Sequence, residues 1–440
     1  MWVAEGIMQK RDAKNLEETA AYEDMERLCS RNMVQVAEMT VDKRIKSCRV
    51  HDLLRELAIR KAEDENFFQI HGTRDDKISA KSRYLAVHSL PLDENYFGSS
   101  TPPLRSLLFF NVHWENISLI FKSFRKLRML DLENVGMDYL PKEIGEVRLL
   151  RYLGLRHTTS PRLPHSVGCL RYLQTLDIWT RKVPNWRVKV SNFIWKLESL
   201  RHLYARYMEC DVPLKIEGLR NLQTLSRIRF DDIMHNDMIT LTSLQKLGIW
   251  VDDRSDIDKL CLHLSEVGSL KTLRLCRYSG NPGSQGGFSK LRHVTELKLS
   301  NWTMLPPDFP PNLSRLSLKY VFLEDDPMPV LEKLGQLSFL KMKFAHVGPQ
   351  RMVISRHGFH QLKFLELNHL YGLEEIKVEE GALPQLRCLR IWECSDLAKL
   401  PEELKHISSL DALELVDMPE DFISGLDADL VSRVPNLGIF

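Results

Sequence analysis

From about residue 104 to the end of the chain one pattern keeps returning: Leu-x-x-Leu-x-Leu, with another aliphatic residue sometimes in the last place. Clean copies are Leu127-Arg-Met-Leu130-Asp-Leu132, Leu150-Arg-Tyr-Leu153-Gly-Leu155, Leu173 to Ile178, Leu244 to Ile249 and Leu270 to Leu275. Later copies are Leu313 to Leu318, Leu362 to Leu367, Leu386 to Ile391 and Leu410 to Leu415. With weaker copies included, the central leucines run from Leu85 to Leu413 at a mean spacing of about 23 residues, inside the range of a leucine-rich repeat. A repeating chain cannot be divided into domains by length alone.

The spacing dictates an architecture. Side chains alternate along a strand, so Leu130 and Leu132 point one way while Met129, Asp131 and Glu133 point the other, toward water. One copy buries too little apolar surface to offset the entropy of ordering its residues, so copies must stack. Return segments such as Leu140, Ile144 and Val147 then bury against their neighbours. The expected fold is an α/β leucine-rich-repeat solenoid, curved, with a parallel sheet on its concave side. Several returns open on Leu-Pro (Leu140-Pro141, Leu163-Pro164, Leu400-Pro401) and run into Ile144-Gly145 or Val167-Gly168. Proline suits a first helical position and glycine a helix exit, so short helical or extended returns are expected. Extra residues at Arg181 to Lys189 and Gly280 to Gly287 read as loop excursions. The second is rich in glycine but has no Lys-Ser/Thr after it, and is therefore a loop and not a phosphate cradle.

Composition narrows the function. The 61 basic and 59 acidic residues leave a net charge of +2, so no global field holds nucleic acid or an anionic membrane, and partners must be recognised locally. No apolar stretch approaches a membrane span, and Met1 to Lys10 lack the features of a secretory signal, so an intracellular, cytoplasmic protein is expected. The eight cysteines are scattered without a CxxC pair, which argues for reduced thiols and against a zinc site. No Ser/His/Asp order or pair of acids can be singled out, and an enzyme is not expected.

Residues 1–72 follow another rule. Leu16, Ala20, Met25 and Leu28 recur at helical spacing; Met33 to Met39 alternates as a strand, and Ser47 to Val50 offers its hairpin partner. A second helix follows, with Leu53, Leu54, Leu57 and Ala58 on one face and Asp52 placed to cap its start. Helix, hairpin and helix match the end of a winged-helix module. The expected division is 1–72 for this segment, 73–103 for a linker and first repeat cap, and 104–440 for the repeats.

The stretches Trp2-Val-Ala-Glu-Gly6, Leu28-Cys-Ser-Arg-Asn32-Met-Val34 and Cys48-Arg-Val-His51-Asp52-Leu-Leu54-Arg-Glu-Leu-Ala58 resemble plant intracellular immune receptors of the nucleotide-binding leucine-rich-repeat type. The last stretch is similar to their Met-His-Asp motif, with Val50 in place of Met. The resemblance implies that His51 contacts the terminal phosphate of bound ADP and that Asp52 steadies the turn. It implies an ADP/ATP switch in the full-length family. No Gly-Lys pair occurs in this chain, so the phosphate-binding loop of that switch is absent and no cofactor is expected here. The chain is expected to be the C-terminal part of a longer receptor, contacting its own N-terminal domains there. The implied partner is a pathogen effector or a guarded host protein.

On the concave face the water-facing candidates are Tyr152, Arg156, Trp179, Tyr204, Arg206, Trp250, Phe364, Arg390 and Trp392, with Thr175, His202, Lys246 and Lys341 beside them. Aromatic and arginine side chains are the types enriched at binding hot spots. A leucine-rich-repeat adaptor that scaffolds a complex such as a ubiquitin ligase stands as the alternative to a receptor, although no F-box-like helical segment is present.

Overall fold

The leucines that mark the copies are the residues that pair across the sheet. In the computed structural model Leu85, Leu107, Leu130, Leu153, Leu176, Leu203 and Leu225 are successive register partners. A second run pairs Leu247, Leu273, Leu297, Leu316, Leu340, Leu365, Leu389, Leu413 and Leu437. Apart from the half-buried Leu437 at the end of the second run, all of them are 3% exposed or less, so a leucine column forms the spine of the core in each run. The structure describes residues 2–5, 17–40, 42, 44–72, 79, 81–88, 102–110, 118–137, 139–158, 162–179, 188–190, 193–206, 208–209, 212–278, 285–348 and 350–440. The excursions expected at Arg181 and Gly280 fall largely outside these residues, as does most of 73–103.

Contacts divide the chain into two units, Met1–Glu38 with Ile45–Leu244, and Met39–Arg44 with Gln245–Phe440. In the first, the parallel strands are Phe68–His71, Tyr84–His88, Ser106–Phe110, Met129–Asp131, Tyr152–Gly154, Thr175–Ile178, His202–Ala205 and Thr224–Arg229. In the second they are Lys246–Val251, Thr272–Arg277, Glu296–Ser300, Arg315–Lys319, Phe339–Val347, Phe364–Tyr371, Cys388–Trp392, Ala412–Val416 and Asn436–Ile439. Phe68–His71 joins the sheet without a copy of the motif, pairing Gln69 with Leu85. A strand needs only one covered neighbour to be held in place, so the terminal repeats tolerate weaker sequence.

Several returns are short 3-10 turns. Pro141, Pro164 and Pro401 stand at the caps of Lys142–Glu146, His165–Cys169 and Glu402–His406, where fixed φ and a missing N–H cost nothing. Each turn buries one aliphatic, Ile144, Val167 or Leu404, against the leucine column. Ile257–Leu264 is a longer, amphipathic return whose Asp256 carboxylate accepts from Lys259 N–H at 3.0 Å.

The N-terminal segment comprises helix Glu17–Ser30, the hairpin Gln35–Met39 with Ile45–Arg49, and helix Asp52–Asp64. The cap of that last helix differs from expectation. His51 has extended backbone and its Nδ1 accepts from Leu53 N–H at 3.3 Å, while Asp52 is the first helical residue. An acid inside the first turn is still favoured there, because the exposed N–H groups make that end partly positive.

Water does not wet the inner face as evenly as strand alternation implies. Met129 and Asp131, expected to face solvent, are 7% and 8% exposed. The cause is Gly154, the register partner of Asp131. With no side chain there, the Tyr152 ring lies across the gap, so that a Cβ on Gly154 would come within 2.9 Å of its Cε1 and 2.4 Å of Asp131 Oδ1.

Candidate recognition surface

In the first unit the inner face is built around two acids. Asp131 and Asp177 flank Gly154 on adjacent strands, and each accepts from the N–H two residues on, Glu133 and Trp179, at 3.2 Å. Arg156 Nη2 pairs with Asp177 Oδ2 at 2.6 Å, and that bond raises the guanidinium pKa despite the opposing burial. Asp131 gets far less help: burial pushes its carboxyl up to about 6, the Glu133 N–H pulls it down, and the charges of Glu133 and Asp177 push it further up. Burial, then the charges of Asp131 and Asp177, drives the Tyr152 phenol upward too. Arg227 places its guanidinium 4.5 Å from the Trp179 ring centre. The Tyr204 ring stacks on His202 at 5.8 Å, and His202 Nδ1 lies 3.2 Å from Thr224 Oγ1. Arg206 is half-buried at the strand end. Near the start of this face Glu5, in the helix Trp2–Glu5, accepts from the Ser106 hydroxyl at 2.6 Å and is buried.

The second unit carries a different wall. Trp250 meets Tyr278 edge-on at 5.9 Å. Arg315 pairs with Asp42 of the segment Met39–Arg44 at 2.9 Å and lies 3.9 Å over the Phe339 ring. Burial works to raise the Asp42 carboxyl, but the Thr40 hydroxyl, Arg315 and Arg44 together hold it below its ordinary value. Phe364 packs with Phe339, Cys388 and Ala412 into a cluster along the same row. Lys341 pairs with Glu366 at 2.6 Å, Arg390 with Glu414, and Trp392 Nε1 donates to Asp417 at 2.9 Å.

Each of the nine concave candidates is half-buried or exposed in its own unit, but most are tied to a neighbour that sequence reasoning missed. The signal was present. Asp177, Glu366, Glu414 and Asp417 stand 21 to 25 residues after their partners, the repeat spacing itself. In a solenoid that interval plays the part of i, i+4 in a helix.

His51 and Asp52 are exposed. With Nδ1 of His51 committed to the helix cap, only its Nε2 is left to meet a phosphate oxygen. No phosphate-binding loop exists in the sequence. The described residues hold no cluster of His, Cys, Asp and Glu fit for a metal ion. No described helix is long and apolar enough to cross a membrane.

Stacked parallel strands in leucine register, preceded by helix, hairpin and helix, define a leucine-rich-repeat protein with a winged-helix segment. Comparison with known families agrees. The profile described as leucine-rich repeat region matches residues 103–419, and that of the disease resistance protein winged helix domain matches residues 1–58. The chain belongs to the leucine-rich-repeat family of plant disease resistance proteins. Probable disease resistance RPP8-like protein 2 of Arabidopsis thaliana is 31% identical over 463 residues, covering 99% of this chain and 50% of the relative. Disease resistance protein RPP8 of the same plant is 31% identical over 440 residues, with 96% and 48% covered. The chain thus spans about half the length of the curated relatives it matches. A solved structure of PEPR1–AtPEP1 aligns with a TM-score of 0.43 at 14% identity, covering 85% of this chain and 54% of that one.

Proposed function

We propose that the chain is the sensing part of a plant immune receptor. Its repeats recognise a pathogen effector, or a host protein that an effector has modified, and its winged-helix segment passes that event to an ADP/ATP switch. The observation that carries this reading is the pairing of a disease-resistance winged helix over residues 1–58 with leucine-rich repeats over 103–419 in one chain. In this reading residues 1–72 belong to the switch, 73–103 connect, and 104–440 read the partner in the cytoplasm. The chemistry is binding and not catalysis. A side-chain wall of rings, guanidinium groups and carboxylates offers shape and charge but no activated nucleophile.

The test joins the chain to the nucleotide-binding half of a relative and follows release of a fluorescent ADP analogue. His51→Ala is expected to speed release, because a ring nitrogen that donates to a phosphate oxygen is lost. An unchanged release rate removes the switch from the proposal. The unjoined chain is expected to give no heat with ADP in a calorimeter.

A further inference from the structure

From Asn301 onward, the sixth residue counted from the start of each inner strand in the second unit has a left-handed backbone: Asn301, Tyr320, Phe344, His369, Glu393 and Asp417, with φ between 48° and 62°. The conformation belongs to the fold. It lets Asn301, Tyr320 and Glu393 N–H groups donate to the carbonyls of Lys319, Lys343 and Val416 on the next strand, at 2.9 to 3.0 Å. The side chains do not follow from the fold. Asn and Asp accept positive φ at least cost, and bulky rings are the poorest choice there. Yet three consecutive repeats hold rings, and these rings are not core: Tyr320 is 51% exposed, and Phe344 and His369 are half-buried. Backbone strain kept where a cheaper residue fits points to a use for the side chain.

The rings form a ladder across the repeats. Tyr320 and Phe344 stack at 5.0 Å and 6°, Phe344 meets His369 at 4.5 Å, and His369 reaches Trp392 at 6.3 Å. Two ammonium groups ride on it. Lys319 Nζ sits 4.7 Å from the Tyr320 ring, and Lys343 Nζ sits 4.7 Å from Phe344 and 5.3 Å from Trp392. A ring face orients a cation without cancelling its charge.

We propose that this ladder is a docking strip for an extended, acidic segment of a partner protein, its carboxylates meeting Lys319 and Lys343 and its aromatic side chains covering the exposed edges of Tyr320 and Phe344. The proposal rests on the reading of the repeats as a recognition surface and states where on it, and for what chemistry, recognition falls. Charge complementarity selects the occupant. The two lysines lie one strand apart, within reach of carboxylates at alternate positions of an extended chain, roughly 6.7 Å from one another. A nucleic acid fits less well, because its continuous charge needs more than two cations and a net charge of +2 supplies no wider field to hold it.

The test measures fluorescence anisotropy on the full chain with three labelled probes: a peptide alternating Glu with Trp and Tyr, its Lys counterpart, and a single-stranded oligothymidylate. The acidic peptide is expected to bind about tenfold or more tighter than either other probe. Replacing Tyr320, Phe344 and His369 together by Asn keeps the backbone and is expected to abolish that preference, with the melting temperature held or raised. Lys319→Gln with Lys343→Gln is expected to weaken the acidic peptide alone. The proposal is overturned by no preference among probes, by tighter oligothymidylate binding, or by an Asn variant of unchanged affinity, which makes the ladder packing only. If the Asn variant binds normally while Trp179→Ala does not, recognition by the repeats survives and the strip falls. If substitution in neither unit alters binding of the acidic peptide, both fall.

Discussion

The inner faces of the two units share a backbone and differ in what they do with charge. In the first, Asp131 and Asp177 are drawn under Tyr152 beside a glycine, and one arginine serves one of the two acids. In the second, lysines lie on a run of rings and the acids mostly sit one repeat away from a basic partner. The difference teaches that the leucine column fixes where inner side chains stand but not whether they are wet. That depends on their neighbours in the row. At Gly154 a missing side chain lets a ring cover the row, while the row of left-handed residues stays open, with Asn301, Tyr320, Glu393 and Asp417 exposed and Phe344 and His369 half-buried.

The largest expected effect comes from filling the gap. Gly154→Val forces a side chain against Asp131 and the Tyr152 ring and is expected to cost about 3 kcal/mol. Hydrogen exchange should show amides of Met129–Asp131 and Thr175–Ile178 losing protection; protection unaltered in both strands would mean that Tyr152 swings aside. Next comes Arg156→Gln, which strands the buried Asp177 carboxylate at a cost of about 2 kcal/mol by urea unfolding, the half-exposed arginine tempering the full penalty of a broken buried pair. A loss no larger than that for the exposed pair of Arg125 with Glu146 would show that water already reaches Asp177.

Asp131→Asn sharpens the comparison through pH. The folded state holds the Asp131 proton up to about 6 while an unfolded chain releases it near 3.8. The folded state therefore binds more protons in between, and the contribution of Asp131 to stability falls as pH rises through that window. Above it the carboxylate is a fixed penalty of about 3 kcal/mol, so Asp131→Asn should stabilise the chain at pH 8 by up to about that much and give no advantage at pH 4. Equal effects at both pH values would place the carboxylate in water. The smallest effect is expected at the other wall: Tyr320→Asn relieves a positive φ and should leave stability unchanged or raise it by less than about 1 kcal/mol. A clear drop in melting temperature would instead make the stack with Phe344 part of the fold.

Much of this was legible before any coordinates. The marker leucines became register partners because a period-two strand inside a fixed repeat admits only one alignment that buries them all. The proline starts of the returns followed from one missing N–H, and the helix, hairpin and helix of the N-terminal segment followed from spacing. The cap was misread by one residue because His51 and Asp52 are both able to accept, and the choice between them is a matter of backbone angle. The burial of Asp131 could not be read, since a lone glycine in a strand says nothing about which ring will cross it. Nor could the ladder: Tyr320, Phe344 and His369 look like unrelated residues until the sign of φ places them in one row.

The order of leucines and the leading prolines were enough to determine a stack of parallel strands, and apolar spacing in residues 1–72 the helix, hairpin and helix before it, because each is a local preference repeated until it is collective. Tertiary structure alone decided which inner side chains are wet, which charges are matched and where rings line up. Those outcomes depend on atoms about 24 residues apart in sequence and roughly 5 Å apart in space, a distance at which desolvation and Coulomb energy outweigh any preference carried by a single residue.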